Sequence, residues 1–308
     1  MISEAEVRRE AARLGVDLMI VDLDYVLGCF LATLFRDPKA SALCFKGGTC
    51  LKKCYYADYR FSEDLDFTLT RRLSQAEIEN WLAAVATQAE DDWEIDFRVR
   101  PIRVKLVDDD YGKESYHVRL YYDGPLRRRG DPRAIRLDFT TREVVAFPID
   151  ERSISHGYSD AGQLSEVRVP CYGLLEMVAE KVRALGGQRT HAISRDVYDV
   201  YQLSMRSDVD LPRLVAALPE KWEVKGLAAQ INVEKVLGRR DEFRDDWERN
   251  LLHLLPSAAT VEFDEVWNST KTFLAKIGRA LRDDDDDGGK DDDGDNCRAP
   301  HNQDQPSG

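Results

Sequence analysis

Two nearby stretches of this 308-residue chain carry residue types that handle phosphate and metal: Lys46-Gly-Gly-Thr-Cys-Leu-Lys, and then Arg60-Phe-Ser-Glu-Asp-Leu-Asp-Phe. Glycines at a strand-to-helix turn let backbone N–H groups approach a phosphate closely, and the N-terminus of the following helix adds a favourable dipole. Gly47, Gly48 and Thr49 therefore suit a triphosphate cradle. Asp64 and Asp66 are separated by one residue on a predicted strand, so both carboxylates point to one face and can share metal ions. Hard divalent cations prefer such oxygens, and Mg2+ usually reaches its site through one or two carboxylates plus substrate phosphates. A Gly-Gly turn alone seldom binds phosphate, and an Asp-x-Asp pair is often only a solvated strand end. The two together are much more specific than either piece.

These residues need a scaffold, and the pattern around them supplies one. Ser3 followed by Glu6 has the form of a capping box and starts a helix over 3–14; a second, strongly apolar helix over 16–36 should pack into the core. Residues 41–56 read as strand, tight turn and helix, and 65–69 alternate like a strand. Ser74 with Glu77 caps a helix running to about residue 90, and strand-like segments recur at 94–106, 115–122, 133–140 and 144–149. From Pro170 onward helical segments dominate, at 173–185, 191–204, 211–218, 240–254 and 261–281. The expected fold class is α+β: a mixed-sheet core over 1–168, a helical domain over 169–282 and a disordered acidic tail over 283–308.

Composition narrows the function classes. The net charge is −13, but residues 283–308 contribute −8 of it, so the body is only mildly acidic. Such a body speaks against indiscriminate nucleic-acid binding while leaving room for a local basic patch. Two groups qualify, Arg98, Arg100, Arg103 and Lys105 around Pro101, and Arg127, Arg128, Arg129 and Arg133 in a loop; a plain solvated surface is the commoner use of either. The six cysteines contain no CxxC pair, which indicates neither a zinc site nor a disulfide framework and suits a reducing compartment. The five scattered histidines form no HExxH, and GxSxG and Walker patterns are absent. The charged N-terminus is no signal peptide, and Asp17, Asp22 and Asp24 interrupt the longest apolar stretch, so a cytoplasmic protein with no membrane span is expected.

The segment KGGTCLKKCYYADYRFSEDLDF resembles the signature of the AbiEii/AbiGii toxin family, nucleotidyltransferases of the DNA polymerase β-like superfamily found in toxin–antitoxin and phage-abortive systems. The likeness runs from residue 17 to about 205, because a second cluster also matches: Glu180-Lys-Val-Arg-Ala-Leu, then Arg195-Asp-Val-Tyr-Asp-Val-Tyr. The resemblance implies transfer of a nucleoside monophosphate from an NTP to an acceptor hydroxyl with Mg2+ (or Mn2+). It further implies tRNA 3′ ends as acceptor and a cognate antitoxin as partner. Lys46, Gly47, Gly48, Thr49 and Ser62 fall on the nucleotide-binding part of the motif, and Lys181, Arg195, Asp196 and Asp199 on the helical part. Read physically, Lys181 neutralises charge on the transferring phosphate, and Asp196 and Asp199, three apart on one helix face, orient Lys181 or bind nucleotide. The superfamily commonly carries a third carboxylate on a neighbouring strand. Asp138, alternating with Leu137 and Phe139, is the candidate to complete the metal site with Asp64 and Asp66. Protein nucleotidylation, or an inert nucleotide-binding module, are the rival readings.

Overall fold

The computed structural model describes residues 1–108, 114–127, 130–189, 191–227, 231 and 233–287. Helix α1 (Glu4–Leu14) starts at Ser3, whose hydroxyl accepts from the Glu6 N–H, and stops at Gly15 in the left-handed conformation. Asp17 caps α2 (Leu18–Arg36). This helix is long and apolar enough to cross a membrane, yet 83% of its apolar window is buried inside the protein. Its two internal aspartates are satisfied there: Asp22 accepts from the Tyr122 hydroxyl at 3.1 Å, and Asp24 pairs with Lys53 at 2.6 Å.

Strand β1 (Leu43–Lys46) runs into the short helix α3 (Gly47–Cys50) and a π-helical turn over Leu51–Tyr55, then β2 (Asp64–Leu69) returns antiparallel to β1. A full capping box at Ser74 and Glu77 opens α4 (Gln75–Trp93), and Trp93 donates to Thr33 of α2 at 2.9 Å. Strands β3 (Arg103–Asp108), β4 (Glu114–Tyr122), β5 (Arg133–Thr140), β6 (Ile149–Ser153) and β7 (Arg168–Tyr172) complete a seven-stranded mixed sheet in the order β3-β4-β5-β2-β1-β7-β6. Leu65, Phe67, Val118, Leu120, Ile135, Leu137 and Phe139 alternate onto the face covered by α2 and α4 and form the core there.

The helical portion comprises α5 (Leu174–Arg183), a π-turn over Ala184–Gln188, α6 (Ser194–Arg206), α7 (Leu211–Glu223), α8 (Val233–Leu237), α9 (Arg240–Asn250) and α10 (Phe263–Asp287). It is bolted to the sheet through buried charge. Arg183 binds Glu143 at 2.8 Å, Lys221 pairs with Glu176, and Glu176 accepts from the backbone N–H groups of Ala146 and Phe147.

Several elements differ from the sequence reading. The expected strand over 94–106 is a strand only from Arg103, because Glu94 takes a left-handed cap and Pro101 cannot donate to a ladder. The expected strand at 144–149 instead begins at Ile149, just past Pro148. Strand β7 is not among the expected strands; it carries Pro170, whose missing donor is tolerated where β7 meets β1 only around Cys171. Helix α10 continues through Asp287, five residues into the expected disordered tail, and the remainder of that tail lies outside the described residues, as do Arg128 and Arg129.

Candidate active site

Register places the motif residues side by side. Across β1, β2 and β5, Lys46 is opposite Asp66 and Asp66 is opposite Asp138; two residues earlier on β2, Asp64 is opposite Arg136. All lie on the sheet face away from α2 and α4. Gly47 follows Lys46 with φ +80°, and a Cβ there would collide with Asp66 Oδ2. Gly48 is pressed against the Arg60 guanidinium, whose Nη2 would sit 2.5 Å from an added Cβ. Each glycine thus lets the turn close onto a charged group. Gly47→Ala is expected to cost about 1–2 kcal/mol in backbone strain, and to lower transfer far more than that strain implies, because Asp66 must move. A variant with wild-type turnover would show that the close approach is immaterial.

The carboxylates are under electrostatic pressure. Burial, then the charges of Asp138 and Asp64, push Asp66 up to about 7. Asp138 is also raised, by burial first, with His117 opposing from 3.2 Å. Asp64 is drawn to the Arg136 guanidinium, which also reaches Glu63 at 3.6 Å. Asp64, Asp66 and Asp138 are not gathered as tightly as a ready ligand set among the described residues. The one such set among the described residues is Cys50, Cys54 and Cys171, brought together although no CxxC spacing links them. The three aspartates nevertheless supply hard oxygen donors on adjacent strands, and a divalent cation would relieve the repulsion that raises Asp66.

Above them, Lys181 donates to Asp196 at 2.6 Å and lies 2.8 Å from Asp199. Burial opposes its charge, but the two aspartates outweigh burial and hold its pKa above the ordinary lysine value. Asp199 also accepts two bonds from Arg60, at 2.8 Å each, and one from the Tyr59 hydroxyl at 3.0 Å. Despite burial, Arg60 and Lys181 hold it well below the usual carboxylate range. Asp196 further pairs with Arg189 at 2.7 Å. Arg195 sits apart, 4.0 Å from Glu63. Thr49 is buried, with its hydroxyl donated to the Asp64 carbonyl, so it ties α3 to β2 rather than presenting an oxygen to the cleft. Ser62, also buried, forms no side-chain hydrogen bond to a described residue.

Sequence reasoning did not assign Glu180, which binds Lys46 at 2.9 Å, nor Arg60, Arg136, Arg189 and Glu143. Glu180 and Arg60 stand inside the motifs, but partners 134 and 139 residues distant have no signature in spacing. A cavity of about 250 Å³ lies between sheet and helices, lined by Lys46, Gly47, Asp66, Glu180, Lys181 and Asp196.

A mixed sheet presenting carboxylates on neighbouring strands, beneath a Gly-Gly turn and a facing helical lysine, has the layout of a nucleotidyltransferase. Residues 29–269 match the family model described as nucleotidyl transferase AbiEii toxin, Type IV TA system, and the chain belongs to that family. Among solved structures it is similar to MenT4, a nucleotidyltransferase toxin of Mycobacterium tuberculosis H37Rv, with 21% identity, TM-score 0.56 and 90% of each chain covered. It is also similar to JHP933 of Helicobacter pylori, with 15% identity, TM-score 0.53, and 88% of this chain and 97% of that one covered. At these identities the likeness carries the fold. No curated protein sequence matches the chain.

Proposed function

We propose that this chain is the toxin of a toxin–antitoxin pair, a divalent-metal-dependent enzyme that moves a nucleoside monophosphate from an NTP to the 3′ end of tRNA. The carrying observation is the register that sets Lys46, Asp66 and Asp138 in one row, with Gly47 packed on Asp66. The acceptor hydroxyl attacks the α-phosphorus, its proton passes to Asp138, the bond to the β-phosphate breaks, and pyrophosphate leaves. A cation bound by Asp64, Asp66 and Asp138 would neutralise charge on the attacking and leaving oxygens. Backbone N–H groups at Gly47 and Gly48 cradle the phosphates. Lys181, fixed by Asp196 and Asp199, meets the charge that develops during transfer. The core over 1–168 and the helical residues from 169 to 282 would then share one cleft, in a cytoplasmic enzyme held in check by its antitoxin.

Lys181→Met is expected to lower turnover by about 10²–10³-fold while NTP binding changes little, since a charge aimed at the transition state acts mainly on kcat. Single-turnover rates and nucleotide titration check this; near-normal turnover removes Lys181 from the chemistry. The acceptor is tested by incubating the enzyme with labelled NTPs in a cell extract and digesting separately with RNase and protease. Label lost to RNase supports tRNA, whereas label lost to protease supports protein nucleotidylation.

A further inference from the structure

The row through the carboxylates does not end at Asp138. It continues over β4 and β3, with Asp138 opposite His117 and His117 opposite Lys105, while the neighbouring row runs Asp64, Arg136, Arg119, Arg103. One sheet face therefore changes from acidic on β2 and β5 to basic on β4 and β3. Two strand spacings, about 10 Å, separate β5 from β3. Arg119 and Lys105 are exposed and have no carboxylate partner among the described residues. Arg103 lies over the Tyr121 ring at 5.7 Å, which stiffens it without neutralising it. Cations held on strands, rather than on a loop, are pre-arranged for a repeated anion.

The carboxylates also stand where two cavities meet. Asp66 lines the cavity shared with Lys46, Gly47 and Lys181, roofed by α5 and α6. Asp64 and Asp138 line a second groove of about 470 Å³ that runs outward past His117, Arg119, Lys105 and Arg103. With the triphosphate on the glycine turn beneath Lys181, a reaction in which an acceptor attacks from the opposite side needs a second approach, and this groove opens at Asp138.

We infer that Arg103, Lys105 and Arg119 bind the phosphodiesters next to the accepting 3′ hydroxyl of an RNA, and so guide that end to Asp138. The inference rests on the nucleotidyltransferase reading above and assigns it a separate acceptor track. A protein acceptor has no regular anionic backbone to match cations repeated from strand to strand.

The test uses the full chain carrying Arg103→Ser, Lys105→Ser and Arg119→Ser together, unfractionated tRNA as acceptor and an α-labelled NTP. The variant's KM for tRNA should rise at least about tenfold, and the slope of log KM against log salt should shrink by about two units, at roughly 0.7 per lost cation. NTP affinity and turnover at saturating tRNA should stay near wild type. Unchanged KM and salt slope would overturn the track while leaving the transferase reading intact. A wild-type enzyme that labels protein and not tRNA would overturn the track together with the tRNA acceptor, and one that transfers nucleotide to neither would overturn the transferase reading itself, so the failures are separable. Should the triple variant melt early, Lys105→Ser and Arg119→Ser singly, both at exposed positions, report the same slope at about 0.7 each.

Discussion

Asp66→Asn is expected to cut nucleotide transfer by at least about 10³-fold, while making the metal-free protein more stable at pH 8. Asp66 lies between Gly47 on one side and Asp138 on the other, so its loss removes the central donor of the proposed metal site. The stability gain follows from its raised pKa of about 7, caused by burial and by the charges of Asp138 and Asp64. A carboxyl whose pKa is higher folded than unfolded stabilises the native state below its unfolded value, near 3.8, and that contribution is lost as pH climbs through 7. The asparagine variant carries no such loss. Its melting temperature without metal should therefore exceed that of wild type by a margin that grows between pH 4 and 7 and then levels off. Added Mg2+ should close the gap at pH 8, and less so at pH 6, where it must displace a proton. A variant less stable than wild type at pH 8 would contradict the raised pKa, and one that still transfers label within a few-fold of wild type would remove Asp66 from the metal site.

Asp199→Ala should damage the fold itself. Asp199 is fully buried and receives Arg60 through two bonds, the Tyr59 hydroxyl, and Lys181. Without it the Arg60 guanidinium, whose side chain is 3% exposed, loses its only acidic partner among the described residues. Stranding a buried charge costs about 3–5 kcal/mol, a large share of the stability of a typical domain, and lowers the melting temperature by on the order of 10 °C. Asp196→Asn should be milder, since Lys181 keeps Asp199 and Arg189 is half exposed. Urea unfolding of both variants decides the matter. Equal midpoints would mean that the Arg60–Asp199 pair does not anchor α6 to the segment beneath the glycine turn.

What could be read from sequence follows the range of the interactions involved. The glycine turn, the Asp64–Asp66 pair and the alternation over 133–140 are local, so their chemistry and periodicity stand out in a few residues. That Asp138 falls opposite Asp66 depends on β5 pairing parallel to β2, a choice made by the whole sheet. Ion pairs such as Arg60–Asp199 and Lys46–Glu180, and the gathering of Cys50, Cys54 and Cys171, join residues with no spacing rule between them. Thr49 illustrates the reverse: its place in the motif suggested phosphate, while the fold commits its hydroxyl to the Asp64 carbonyl. Strand β6 begins only past Pro148 and β7 carries Pro170 within it, so both depend on where the ladder runs, which no local pattern shows.

The most direct measurement of the central proposal follows the fate of each phosphate. Wild-type protein, tRNA and a divalent cation are incubated with an NTP labelled either at the α- or at the γ-phosphorus, with and without a chelator. Cation-dependent α-label in the RNA, with γ-label released as pyrophosphate, is the expected result. Transfer of γ-label to the acceptor, or α-transfer that persists under chelation, would contradict it.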